Sequence, residues 1–302
     1  MAKRPPTFQP KATPIRPKIT PTGQAGNGKP APRLMPILIG GGLLYVTATY
    51  VSMVVFKSKT DTEKQQDEHH HHGLPTHSSS VTPGSYDTNP VWEKLARNYD
   101  KEIGSDEFVM GIGLMRRWLV GQAKGDVLEA STGTGRNFEY YKPDQVTSAT
   151  FTDKSESMLS EAKSKFEQYK TKFQARFEQI NVDAQPTQKY DTVVDTFGLC
   201  SCGDPEEALI SLARACKPNE ESRILLLEHG RSHYDWLNRI LDSNVDKHVM
   251  RWGCWWNRDL MGLFEREKVK QHIEIVKVYR WHLGTTCYIV AKPRTPHKEQ
   301  EK

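Results

Sequence analysis

Acidic side chains are missing from the first 33 residues of this 302-residue chain, while Lys3, Arg4, Lys11, Arg16, Lys18, Lys29 and Arg33 supply seven positive ones. The whole chain carries +5, so these seven leave residues 34–302 at −2. The basic excess belongs to one end, and the remainder lacks the global positive surface that a nucleic-acid partner requires. Cysteine is scarce as well: Cys200, Cys202, Cys216, Cys254 and Cys287 form an odd set that excludes a disulfide framework. Cys200-x-Cys202 has no second ligand pair at zinc-like spacing. No metal site is expected, and these cysteines read as buried small apolar side chains. No internal repeat is present.

Charge is lacking again over residues 34–56. These 23 residues would reach about 35 Å as a helix, enough to cross a ~30 Å hydrocarbon core. Arg33 and Lys57 bracket the run. Gly40-Gly41-Gly42 is tolerated in lipid and offers a small-residue face to a membrane-protein partner. The run is long for a cleaved secretory signal, and no small-residue cleavage site follows it. A transmembrane helix in the lipid bilayer is the expectation. Residues 1–33 have the composition of a mitochondrial targeting segment, although eight prolines there exclude a long amphipathic helix. The expected location is the mitochondrial inner membrane, single-pass, with the endoplasmic reticulum or lipid droplets as the alternative. Positive charge stays on the side from which insertion begins. Beyond the span, Lys57, Lys59 and Lys64 are offset by Asp61, Glu63, Asp67 and Glu68, so the bulk of the chain is expected to face the intermembrane space. Residues 57–88 are polar and without apolar period, a flexible tether in which His69 to His72 read as solvated low-complexity sequence.

From Pro90 the pattern turns globular. Val91, Trp92, Leu95, Ala96 and Tyr99 recur at helical spacing, and 108–120 reads as a second helix. Strands near 126–130, 148–153, 173–179, 191–199 and 223–228 alternate with helices near 137–141, 155–169 and 206–216. This alternation predicts an α/β, Rossmann-like domain over 89–292, its parallel sheet buried on both faces and its ligands at the carboxyl ends of the strands. Residues 231–267 form a Trp-rich helical region. Residues 271–279 and 285–291 suit an antiparallel edge hairpin, and 293–302 a charged tail.

The chemistry concentrates in Val127-Leu128-Glu129-Ala130-Ser131-Thr132-Gly133-Thr134-Gly135-Arg136-Asn137. A dinucleotide turn would need a third glycine, and Phe138 stands in its place. A second acid closes a strand at Asp153, and a third follows in Asn181-Val182-Asp183. That ordered set resembles the cofactor pocket of class I S-adenosylmethionine-dependent methyltransferases. Three stretches carry the resemblance: LEASTGTGRNFEYY (128–141), DTVVDTFGLCSCGDPEEALISLARACKP (191–218) and LLLEHGRSHYDWLNRILDSNVDKHVMRWGCWWNRD (225–259). They are similar to the ubiquinone/menaquinone-type methyltransferases, and more so to a membrane-anchored branch with thiol-methylating and mitochondrial members. The resemblance spans about 90–292.

A sulfonium donor needs backbone close to its methionine part, which suits Gly133 and Gly135. It needs an acid for its ribose hydroxyls, which suits Asp153. Adenine needs a donor and an acceptor, which suits Asp183 with the Val182 and Ala184 backbone. Ser155 and Met158 are expected to border the ribose and adenine, and Glu129 to order the turn. The resemblance adds Asn137. One position departs from the family turn E-x-G-x-G-x-G: Ser131 replaces its first glycine and narrows the pocket. Thr196, Phe197 and Leu199 are expected beside the transferred methyl.

The resemblance implies methyl transfer from S-adenosylmethionine. That is an in-line displacement in which alignment can supply up to ~7–11 kcal/mol, so a dedicated base is optional. His229 is the candidate base at neutral pH, with Glu228 as runner-up. Trp236, Trp252, Trp255 and Trp256 lie within 21 residues and suit an aromatic cap, a membrane contact or core packing. The expected acceptor is a small apolar or amphipathic molecule, a phenol, quinol or thiol. The alternative is a non-catalytic or RNA-associated assembly factor using the fold as a scaffold. No Asn/Asp-Pro-Pro-Tyr-like loop follows the fourth strand; the run there is Asp195-Thr196-Phe197-Gly198.

Overall fold

The computed structural model describes residues 85–169 and 173–294. The basic segment 1–33, the apolar run 34–56, the tether as far as residue 84 and the tail from residue 295 lie outside the described residues. Among those described, no helix is long and apolar enough to cross a membrane.

Three helices come first: α1 (Asn89–Leu95), α2 (Tyr99–Val109) and α3 (Ile112–Val120). The continuous helix expected over 108–120 is broken. Gly111 takes a left-handed φ of +67° between α2 and α3, and Phe108 is left exposed. The sheet elements and their crossovers follow: β1 (Gly125–Ala130), β2 (Val146–Asp153), α4 (Glu156–Phe166), β3 (Gln174–Gln179), β4 (Thr192–Thr196), α5 (Pro205–Ala215) and β5 (Arg223–His229). Four short helices come next, α6 (Asp235–Ser243), α7 (Val245–Trp252), α8 (Leu260–Glu265) and α9 (Glu267–His272), then the hairpin β6 (Ile273–Trp281) and β7 (Thr286–Pro293).

The seven strands form one sheet in the order β3-β2-β1-β4-β5-β7-β6. β1 to β5 are parallel, and β7 runs antiparallel to both β5 and β6. The reason lies in the central strands. Val127, Leu128, Ala130, Val193, Val194 and Ile224 to Leu227 have no exposed surface, so both faces need a helical layer. One layer packs Leu209, Leu212 and Phe264 against the sheet, the other Leu119, Phe138 and Phe166.

The chain runs outward through β1, β2 and β3, then returns to place β4 on the other side of β1. A crevice opens at such a reversal, beyond the carboxyl ends of the strands. Register decides which residues meet there. Ala130 pairs with Asp195 and Thr196 with Leu227, so Ser131, Thr196 and Leu227 share one level and Phe197 and Glu228 stand at the next.

Three further elements differ from their sequence-based expectation. The helix at 137–141 is only a 3₁₀ turn, Phe138–Tyr140. β4 stops at Thr196 because Phe197 turns left-handed at φ +61°. The region 231–267 is divided at Gly253, also left-handed at φ +61°, where a Cβ would lie 2.7 Å from Trp92 Nε1.

Candidate functional site

A cleft of about 240 Å³ lies at the carboxyl ends of β1, β2 and β4. Its floor is the turn after β1. Ser131, Gly133 and Gly135 all have left-handed φ there, +49°, +56° and +77°. A Cβ on Gly133 would meet nothing within 4 Å, so the turn leaves room over that backbone. A Cβ on Gly135 would sit 2.1 Å from the Phe138 ring, so this glycine serves packing and does not line the cleft. Ser131 lines the cleft in a conformation that favours glycine, strained by about 1–2 kcal/mol.

Asp153 closes β2 and faces the same cleft. Its Oδ2 accepts the Gly133 N–H at 2.8 Å and its Oδ1 the Ser155 N–H at 2.9 Å. Burial outweighs these donors and pushes the carboxyl up to about 6. Ser155 caps α4 by accepting the Met158 N–H at 3.1 Å, and it lies below the wall that Met158 forms. Asn181, Val182 and Asp183 line the far end, while Ala184 of the same 3₁₀ turn does not.

Glu129 and Asn137 were expected to serve the cofactor and stand behind the wall. Glu129 accepts from Asn137 Nδ2 at 3.0 Å and from the Tyr141 hydroxyl at 2.5 Å, and burial pushes it up to about 7. Asn137 Nδ2 also donates to Thr196 Oγ1 at 3.0 Å. The sequence reading missed what holds this group from the other side. Arg116 Nη1 donates to Asn137 Oδ1 at 2.9 Å and to Thr196 Oγ1 at 2.8 Å, while its Nη2 meets Glu107 Oε1 at 2.8 Å. Glu107 Oε2 also accepts from Arg136 Nη2 at 2.6 Å, and Arg136 Nη1 reaches Asp100 Oδ1 at 3.0 Å. This network ties α2 and α3 over the glycine turn. One signal was available: Arg116 sits on the apolar stripe Ile112, Met115, Leu119, where a solvated arginine would not.

A second cavity, about 220 Å³, lies beside the first and shares Trp92, Tyr99 and Phe197 with it. It is largely apolar, walled by Ile103, Met110, Ile112, Leu241, Trp252 and Trp256. His229, at the end of β5, lines it with its ring 4.5 Å from that of Phe197. His248 stacks on Trp256 at 3.8 Å and is driven neutral by burial, to about 3. Trp255 is packed in the core and Trp236 is on the surface. Glu228 lines neither cavity. It is fully buried, accepts the Gly198 N–H at 3.3 Å and lies against Asp195. Burial pushes both carboxyls up, and the charge of Asp195 adds to it for Glu228, so the pair keeps a proton between them. A carboxyl so placed cannot reach an acceptor.

Comparison with known proteins finds methyltransferases. A family model described as a methyltransferase domain matches residues 128–219. The chain is 37% identical over 233 residues to a Saccharomyces cerevisiae protein named methyltransferase OMS1, mitochondrial, an alignment covering 72% of this chain and 48% of that relative. The stretch 128–219 is a methyltransferase domain. It is also 32% identical over 161 residues to the ubiquinone/menaquinone biosynthesis C-methyltransferase UbiE of Bdellovibrio bacteriovorus, covering 51% of this chain and 66% of that one. The chain thus spans about half the length of the yeast relative and about two thirds of the bacterial one. Among solved structures, the DhpI complex with SAH matches at a TM-score of 0.51 and 18% identity, covering 71% of this chain and 99% of DhpI. The [4+2]-cyclase SpnF matches at 0.53 and 11%, covering 74% and 99%. These two likenesses concern the fold. The methyltransferase family takes S-adenosylmethionine as cofactor, and the cleft offers it an open glycine turn, an acid at the end of β2 and a third acid at Asp183.

Proposed function

We propose that this protein transfers a methyl group from S-adenosylmethionine to a small apolar or amphipathic acceptor, a phenol, quinol or thiol. The observation that carries the reading is the pair of cavities: a polar cleft at the strand ends and an apolar one beside it, with Trp92, Tyr99 and Phe197 common to both. A donor in the first would present its methyl across that shared wall to an acceptor in the second. In-line geometry is what such a reaction needs most.

In this reading Asp153 takes the ribose hydroxyls and Asp183 with the Val182 backbone reads the adenine. Met158 packs on the adenine, while Gly133 and Ser131 admit the methionine part. Glu129, Gly135, Asn137, Ser155, Ala184 and Thr196 hold these groups in place, Thr196 also bordering the cleft. His229 is the candidate base among the polar side chains on the acceptor side, placed to receive a proton. Glu228 sets the loop after β4 through its bond to Gly198.

We place the protein in the mitochondrial inner membrane, held by residues 34–56 with the domain of 89–292 in the intermembrane space. The basic first segment, the uncharged run and the mitochondrial yeast relative support that placement. Calorimetry of S-adenosylhomocysteine on the detergent-purified full chain tests the cofactor. Micromolar binding lost in Asp153→Ala agrees with the reading. A folded chain that binds none would return the protein to the scaffold alternative.

A further inference from the structure

Two of the five cysteines and one histidine, distant in sequence, converge in the wall of the apolar cavity. Cys200 lies in the loop after β4, His229 ends β5, and Cys254 follows the left-handed Gly253 that stops α7. Cys254 Sγ is 2.9 Å from Cys200 Sγ and 3.3 Å from His229 Nδ1. The three ligand atoms all lie within 4.8 Å of one another. The loops that carry them are fixed. The Trp255 N–H donates to the Cys200 carbonyl at 2.8 Å, and Trp92 packs against Gly253 where no Cβ would fit. The remaining cysteines point elsewhere: Cys202 Sγ to the Leu199 carbonyl, Cys216 Sγ to that of Leu212 and Cys287 Sγ to that of Gly284. Simple packing of thiols gives no reason for an imidazole nitrogen to face them.

We propose that Cys200, His229 and Cys254 form a zinc site whose open fourth position binds the acceptor as a thiolate. Two thiolates and a neutral imidazole are a soft donor set that suits Zn²⁺ and balances its charge. Three protein ligands with one position left for water or substrate is the pattern of a reactive zinc, not a structural one. At about 2.3 Å from a tetrahedral metal, two sulfurs stand about 3.8 Å apart. The present separation therefore widens by less than an ångström, a small torsion of two side chains. All three ligands border the apolar cavity, and Phe197, against which His229 packs, also borders the cofactor cleft.

The acceptor chemistry rests on the methyltransferase reading above; the metal site does not. An acceptor thiol displaces the metal-bound water and gives its proton to solvent. The zinc-held thiolate sulfur then donates a lone pair to the sulfonium methyl. A sulfur–carbon bond forms, the bond from methyl to cofactor sulfur breaks, and the cofactor leaves as the neutral thioether S-adenosylhomocysteine. The methylated product is itself a thioether, a poor zinc ligand, and water replaces it. His229 is then a ligand through Nδ1, and the metal takes over the lowering of the acceptor's proton affinity.

The test uses the full chain purified in detergent without chelators. Elemental analysis is expected to find one zinc per chain, lost in Cys254→Ser and in His229→Gln and kept in Cys216→Ala. Replacement by Co²⁺ is expected to give the visible bands of tetrahedral cobalt with a thiolate charge-transfer band, and benzyl mercaptan to shift them where phenol does not. Circular dichroism and S-adenosylhomocysteine binding check that the variants fold. A folded chain without metal, zinc retained in Cys254→Ser, or a Cys200–Cys254 disulfide found by peptide mass spectrometry would overturn the site. Cobalt bands indifferent to the mercaptan would overturn the acceptor. Zinc present in a chain that binds no S-adenosylhomocysteine would leave the site standing and remove the methyl-transfer reading.

Discussion

Asp153 already accepts two backbone N–H groups, and its half-buried position pushes it to about 6. Its ionised form has acceptor capacity left for ribose hydroxyls, and its protonated form has less. Cofactor affinity is therefore expected to hold above about pH 6 and to fall as the pH is lowered through that value. Calorimetry of S-adenosylhomocysteine across that range checks it. Asp153→Asn, which cannot carry the charge, is expected to bind about 10- to 100-fold more weakly with a flat profile. The turn glycines separate in the same way. Gly135→Ala places a methyl inside the Phe138 ring at φ +77° and is expected to cost about 2–4 kcal/mol in urea unfolding. Gly133→Ala meets open space, so it is expected to cost about 1–2 kcal/mol and to act mainly on cofactor affinity.

At the scale of elements, the carboxyl ends of β1, β4 and β5 bring together Glu129, Asp195 and Glu228, all buried and all pushed upward by that burial. A raised folded-state value means that the native protein holds its proton more tightly than the unfolded chain. The resulting stability is complete below the unfolded carboxyl value and is lost as the pH rises through the folded one, about 7 for Glu129. The melting temperature is thus expected to decline between about pH 5 and about pH 8, and Glu129→Gln to flatten part of that slope. An unchanged slope in the variant would count against it. The network that ties α2 and α3 over the turn is different in kind. Glu107 holds Arg116 and Arg136 together in the interior, so Glu107→Gln leaves buried charge uncompensated. Its expected cost is about 3–5 kcal/mol by chemical denaturation, with cofactor affinity falling as Asn137 and Thr196 lose their support.

For the whole molecule, the prediction concerns residues 34–56. Alkaline carbonate is expected to leave the full chain in the membrane pellet and to release a chain lacking that run. Protease added to mitoplasts is expected to digest the domain of 89–292. A protected domain would place it in the matrix and reverse the orientation proposed from charge.

The alternation of strands and helices, the glycine turn, Asp153 and the edge hairpin were legible in sequence because they follow from local rules. Unbroken apolar runs require a doubly covered sheet, left-handed turns favour glycine, and an acid after a buried strand is conspicuous. Glu228 stands beside His229 in sequence, yet it points into the sheet while the histidine lines the cavity, since successive residues of a strand face opposite ways. No spacing rule could relate Cys254 to Cys200, 54 residues earlier, nor Arg116 to Thr196, 80 later. The sequence by itself determined the layered sheet and the kind of cofactor it holds, because periodicity and turn chemistry are local. Only the tertiary structure decided which side chains face the acceptor, because that depends on the loops after β4, β5 and α7 packing against one another.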